Sequence, residues 1–241
     1  MPLWSNIRAG IQTPDKKRAY NAGLFTRIAT EYDRATRAMS LGRDQTWKRW
    51  LVEALPDLPA PHCVDLACGT GDVTVALANR FPQGEIVGID LTPAMLEVAR
   101  QRCARPNVRF QVKDMCRTEL EEGWADVVTG SYALRNAPVL AEALTEIRRL
   151  LKPGGWAAFL DFAKPSARWR QSVQFPLLKL WGGFWGLMLH GGPEHAYIAE
   201  SLRLFPDQLE LRSQFARHGF RLHQSRACFG GMLEILLLRR E

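Results

Sequence analysis

The residues best suited to chemistry gather in one short stretch, VDLACGTGD, at residues 64–72. An apolar run ends in a carboxylate, Asp65, and an A-x-G-x-G spacing follows at Ala67, Gly69 and Gly71. Glycine leaves the backbone bare, so a nucleotide-like ligand can lie directly against it. A dinucleotide fingerprint needs one more glycine, and Thr74 stands in its place. An acid just before the loop would also repel a pyrophosphate.

A ligand without phosphate fits better. S-adenosylmethionine carries an ammonium, which Asp65 can hold directly or through water, together with a sulfonium and a ribose. Asp90 closes the next apolar run, EIVGID, where a carboxylate can accept from both ribose hydroxyls. NAD is read by the same device, so Asp90 alone does not choose between the two. Asp114, after VRFQV, does choose, because an acid there can accept from the adenine amino group while Met115 packs nearby. Each Asp could instead cap a helix or turn, but that reading has to hold three times over. Leu91 and Met95, close to Asp90, complete the expected cofactor wall.

Such residues need strand ends to carry them. Apolar runs CVDLA, EIVGID, VRFQV, ADVVTGS and WAAFLDF read as five strands, alternating with helical patterns. One helix is expected from Asp72 to Arg80, one opening at Thr92-Pro93 with Thr as N-cap, and one opening at Pro138 and stopped by KPGG. This alternation predicts a parallel sheet covered on both faces. A helix over residues 207–218 follows, and FRLHQSRACF with EILLLRR reads as a closing antiparallel pair, which makes seven strands. Residues 1–55 read as an N-terminal helical cap and residues 56–241 as the catalytic domain. Residues 164–206, rich in Trp, Gly, His and Pro, read as an insertion over the active site.

At this point the chain resembles a class I, Rossmann-like methyltransferase. Within that group it is similar to the ubiquinone/menaquinone C-methyltransferase family. The matching segments are FTRIATEYD, SLGRDQTWKRW, VDLACGTGDVT, GIDLTPAMLEVAR, SYALRNAP, EIRRLLKPGGWAAFLDFAKP and YIAESLRLFP, in order over about residues 25–206. The resemblance implies cofactor contacts at Thr70, Asp90, Asp114, Met115 and Ser131. It further implies that Arg135 and Asn136 orient the oxygens of an aromatic acceptor and an activating water.

Methyl transfer to carbon needs an electron-rich ring, such as a quinol. Arg135 could stabilise a phenolate and His195 could act as general base. Tyr32, Tyr132 and Tyr197 are assigned to the acceptor, with Tyr132 able to stack on its ring. The alternatives are a natural-product O-, N- or C-methyltransferase, an RNA or DNA methyltransferase, and a cofactor-binding subunit without turnover. The loop GSYALRNAP lacks the Asn/Asp-Pro-Pro-aromatic signature that suits an exocyclic amine, so no nucleic-acid partner is expected.

Composition sets the remaining limits. With 46% apolar and 24% charged residues the chain can build a sizeable core. Residues 1–50 hold ten Lys and Arg against four Asp and Glu, most of the net charge of +7. Five cysteines at 63, 68, 103, 116 and 228, without paired C-x-x-C spacing, argue against a disulfide framework and a metal site. A cytoplasmic enzyme is expected, with a homodimer as one arrangement. The run LWGGFWGLML at residues 180–189 is too short to span a bilayer. Its two tryptophans suggest peripheral contact with the inner membrane face, where a lipid-tailed acceptor would be found. Its glycines argue against a rigid helix.

Overall fold

The computed structural model describes residue 7, residues 9–190 and residues 197–241, and helices with defined bounds precede the first strand. They are α1 (Pro14–Ile28), α2 (Tyr32–Met39) and α3 (Asp44–Glu53). Thr13 caps α1 through its hydroxyl, which accepts from the Lys16 N–H, and Pro14 takes the first turn, where its missing N–H costs nothing. Leu24 and Ile28 of α1 pack with Met95 and Tyr197, so this segment lies against the rest of the chain.

The strands are β1 (His62–Leu66), β2 (Glu85–Asp90), β3 (Val108–Val112), β4 (Ala125–Ser131), β5 (Leu151–Phe162), β6 (Phe220–Cys228) and β7 (Leu233–Arg240). They form one sheet in the order β3-β2-β1-β4-β5-β7-β6. The first five run parallel and β7 is antiparallel to both neighbours. The helices between them are α4 (Asp72–Arg80), α5 (Pro93–Arg102), α6 (Leu140–Leu150), α7 (Arg168–His190), α8 (Tyr197–Leu204) and α9 (Gln208–Arg217). Period-two alternation divides the core. Val64 and Leu66 face Leu144 and Ile147 of α6, while Cys63 faces Trp47 and Leu51 of α3 and Leu77 of α4. The order reverses between β1 and β4, and an open crevice forms beyond the strand ends at such a switch point. This is the seven-stranded, mostly parallel fold expected.

Three local expectations are corrected. KPGG does not separate α6 from β5. Leu151 already opens the strand, and the ladder with β4 shifts register before it resumes at Trp156. Thr92 occupies the N-cap position but its hydroxyl makes no cap bond; its N–H instead donates to Asp90. The glycine-containing run at 180–189 is helical, part of the 23-residue α7, despite Pro176 inside it. Gly182 and Gly186 are buried on its inner face, where packing outweighs their poor helix propensity. Trp181 also turns inward and donates its indole N–H to the Met39 carbonyl at 3.0 Å, with Trp185 half-buried against it.

Candidate active site

The loop after β1 is built around backbone that L-residues rarely adopt. Ala67, Gly69 and Gly71 have φ of 49°, 54° and 86°. The two glycines do different work. A Cβ on Gly69 would meet nothing within 4 Å, so this face of the loop opens onto the cleft. A Cβ on Gly71 would lie 3.1 Å from the Ala99 side chain, so Gly71 lets α4 start close to α5. Asp90 ties the loop to β2: its two oxygens accept the Gly69 N–H at 2.9 Å and the Thr92 N–H at 2.8 Å. Burial raises its pKa above the ordinary carboxylate value, and those two N–H groups oppose the rise.

Asp65 does not reach the cleft. It lies beneath the loop, 1% exposed, and accepts from the Thr74 hydroxyl at 2.7 Å and the Thr129 hydroxyl at 2.9 Å. Burial pushes its pKa up to about 6. Parity explains the correction, because Asp65 shares the face of β1 that Cys63 turns toward α4. Thr70 is also turned away, donating to the Asp33 carboxylate of α2 at 2.6 Å. Of the expected cofactor residues, Asp65, Thr70 and Gly71 therefore do not line the cleft.

The others meet in a cleft of about 690 Å³. Ala67 and Gly69 line it after β1, Asp90, Leu91 and Met95 from β2 and α5, Asp114 and Met115 after the neighbouring β3, and Ser131 from β4 on the other side of β1. Its roof was missed in the sequence. Arg18, Asn21, Ala22 and Phe25 of α1 close over it. Arg18 Nε donates to Asp114 at 2.8 Å, and the Asn21 amide donates to the Asn136 carbonyl at 3.0 Å. Lys17 donates to the carbonyls of Arg135 and Ala137 at 2.8 and 2.7 Å. Burial, aided by the Arg135 charge, lowers its pKa to about 8. The sequence signal for this roof was the basic cluster Lys16-Lys17-Arg18, which also reads as a solvated helical face.

A second cleft of about 890 Å³ lies beside the first. Its walls are largely apolar: Leu24 and Ile28 from α1, Met39 and Trp47 from α2 and α3, Phe162 from β5, and Leu178 and Trp181 from α7. The two clefts share Phe25, Tyr32, Tyr132 and Asn136. Arg135 and Asn136 lie in a single 3-10 turn just beyond β4, which sets Asn136 at this junction and Arg135 on the second cleft. The Asn136 amide is held at both ends, donating to the Tyr132 carbonyl and accepting from the Tyr197 hydroxyl, each at 2.8 Å.

Arg135 lines the second cleft yet is 4% exposed. Its guanidinium pairs with Asp161 at 3.5 Å, donates to Ser201, and lies 5.4 Å from the Phe162 ring and 5.5 Å from Tyr197. It is a buried cation and no surface ion pair. Burial pushes the phenols of Tyr32 and Tyr197 up to about 12 and that of Tyr132 well above its ordinary value, so all three stay protonated near neutrality. The Tyr132 hydroxyl donates to Asp44 at 2.8 Å, and Asp44 pairs with the buried Lys48 at 2.6 Å. Lys48 also reaches Asp72 at 2.8 Å, so this polar cluster joins the N-terminal helices to the start of α4. His195 lies outside the described residues. Among the described residues no group of three His, Cys, Asp or Glu side chains could hold a metal, and all five cysteines are free thiols.

Comparison with known proteins identifies relatives over most of the chain. The chain is 34% identical over 215 residues to demethylmenaquinone methyltransferase of Lactiplantibacillus plantarum, covering 86% of this chain and 91% of the relative. It is 30% identical to 2-phytyl-1,4-naphtoquinone methyltransferase of Trichormus variabilis, covering 90% and 97%. Among solved structures it resembles a SAM-dependent methyltransferase of Thermotoga maritima with a TM-score of 0.65 and 17% identity, covering 91% of this chain and 99% of that one. A SAM-dependent methyltransferase of Aquifex aeolicus gives 0.61 with 14% identity, covering 90% and 98%. At those identities the structures establish the fold alone. The model of the ubiE/COQ5 methyltransferase family matches residues 13–236, nearly the whole chain. With that match and relatives at this identity, the chain belongs to the ubiE/COQ5 methyltransferase family and is an S-adenosylmethionine-dependent methyltransferase.

Proposed function

We propose that the enzyme methylates a ring carbon of a quinol that carries an apolar tail, at the junction of the two clefts. The observation behind this reading is the pair of clefts itself. One bears the carboxylates of Asp90 and Asp114, the larger one is walled by apolar and aromatic side chains, and they meet at Phe25, Tyr32, Tyr132 and Asn136. Relatives named for demethylmenaquinone and phytylnaphthoquinone methylation support it.

S-adenosylmethionine supplies an electrophilic methyl group on a sulfonium. The open space over Gly69 suits its methionine end, Asp90 its ribose hydroxyls, and Asp114 with Met115 its adenine. On the acceptor side, Asn136 offers a fixed amide to a ring hydroxyl, because Tyr132 and Tyr197 hold it from both ends. Arg135 favours the phenolate form of that hydroxyl, which makes the ring carbon more nucleophilic; the hydroxyl proton, and after transfer the proton of the methylated carbon, leave to water. Asp161 offsets part of the Arg135 charge and fixes its position. Tyr32 and Tyr132 bound the ring where it must face the methyl group. An acceptor of this kind is held in a membrane, so the proposal includes transient contact with the cytoplasmic membrane face and no nucleic-acid partner.

The test is transfer from methyl-deuterated S-adenosylmethionine to a demethylated naphthoquinol, with fragmentation mass spectrometry to locate the label. Label on a ring carbon supports the reading. Label on oxygen, or turnover confined to polar phenols, gives the enzyme to natural-product methylation instead.

A further inference from the structure

The longest helix, α7, has two apolar faces with different occupants. Its inner face lines the acceptor cleft through Leu178, Trp181 and Gly182. Its outer face carries Trp169, Val173, Leu177, Leu180, Phe184 and Leu187, between 48% and 72% exposed. Their spacing of three and four residues places all six on one stripe of the helix. Exposed apolar residues scattered singly are ordinary, but a continuous stripe of this length marks a contact surface.

Charge selects the partner. α7 contains no acidic residue, whereas Arg168, Arg170 and Lys179 are exposed on it, in a chain of net charge +7. Among the described residues no helix is long and apolar enough to cross a membrane. An apolar stripe with basic neighbours on such a helix suits the plane of an anionic lipid surface.

We propose that the outer stripe of α7 is the lipid-docking face of this enzyme. It presses into the headgroup region of an anionic membrane, while the inner face of the same helix walls the acceptor cleft. A tailed acceptor then passes from lipid to cleft around one helix without crossing bulk water. The tryptophans that suggested membrane contact in the sequence do not serve here, since Trp181 points into the cleft and Trp185 packs behind it. The role of docking in turnover rests on the quinol reading above; lipid binding itself does not.

The experiment compares wild type with Leu180→Asp/Leu187→Asp, and with Arg168→Glu/Arg170→Glu. Both pairs change exposed positions outside the cleft walls, and circular dichroism with thermal melting verifies the fold. Sedimentation with phosphatidylglycerol/phosphatidylcholine vesicles should show salt-sensitive binding of wild type and roughly a tenfold loss in each variant. Methylation of a long-tailed quinol in vesicles should fall by about the same factor, while a tail-less soluble quinol is methylated within about twofold of wild type. Absence of wild-type binding, or folded variants that bind like wild type, overturns the docking face. A wild-type dimer made monomeric by Leu180→Asp/Leu187→Asp, without vesicle binding, gives the stripe to a second copy instead. Vesicle binding with no methylation of either quinol leaves the docking face standing and removes the quinol reading.

Discussion

Arg18 on α1 donates to Asp114, just beyond the third strand, across 2.8 Å. This bond draws the basic N-terminal segment over the cleft assigned to the cofactor. The pair is partly exposed, with side chains 34% and 21% accessible, so it adds at most about 1 kcal/mol to folding. Its consequence lies in closing the roof. Arg18→Ala should leave the melting temperature nearly unchanged and raise the Kd for S-adenosylmethionine roughly three- to tenfold. Isothermal calorimetry checks this, and an unchanged Kd removes Arg18 from the cofactor cleft.

Asp90 offers a carboxylate to the cleft while holding the loop through Gly69 and Thr92. Asp90→Ala should weaken S-adenosylmethionine binding by roughly 2–3 kcal/mol through lost charge-assisted bonds. Affinity for NAD should stay negligible in both forms. Equal S-adenosylmethionine affinity in a folded variant contradicts the ribose assignment.

Asp65 gives a pH signature of folding. Its pKa rises from an ordinary 3.8 to about 6 because burial disfavours the charged form. A raised folded pKa means that the native state holds the proton more tightly. The associated stability is therefore complete below about pH 4 and lost as pH rises through about 6. The whole effect is on the order of 3 kcal/mol. Asp65→Asn removes it, so the advantage of wild type over this variant should shrink between pH 4 and pH 7. Urea unfolding at the two pH values measures the difference, and a constant gap rejects the assignment.

Asn136 is placed to act on the acceptor and is positioned by Tyr197. Asn136→Ala should lower kcat on the quinol by roughly a hundredfold and leave cofactor Kd within about threefold. Tyr197→Phe, which removes the hydroxyl that positions Asn136, should lose about tenfold in kcat. Wild-type turnover in Asn136→Ala rejects the junction as the site of transfer.

Arg135→Ala needs a different experiment, because it strands the buried Asp161. Removing one partner of such a pair costs about 3–5 kcal/mol of stability. Arg135→Ala/Asp161→Asn should recover much of the lost melting temperature without recovering turnover. Recovery of both would reduce Arg135 to a structural role.

The sequence was most legible where a function resides in a strand end. Asp90 and Asp114 follow short apolar runs, and parallel pairing must bring such ends together, so both could be placed from spacing alone. Asp65 satisfied the same rule, yet it sits within its strand and the pleat turns it away from the crevice. The tyrosines were named for the acceptor, but the local turn gives Asn136 only the Tyr132 carbonyl, and it takes packing to bring the Tyr197 hydroxyl to the other end of its amide.

By itself, then, the order of residues determined the alternating elements, the seven strands, the bare loop and two of its acids, and through its motifs the kind of cofactor. These follow from local periodicity and from chemistry carried by neighbours in the chain. Tertiary structure alone decided that α1 roofs the cleft, that Arg135 is a buried cation, and that α7 stays helical with Trp181 and Trp185 inward and an apolar stripe outward. Each of these depends on partners far away in the chain. Arg18 meets Asp114 and Trp181 meets Met39 only after the sheet has formed, and packing then overrides what the glycines or the tryptophans would do on their own.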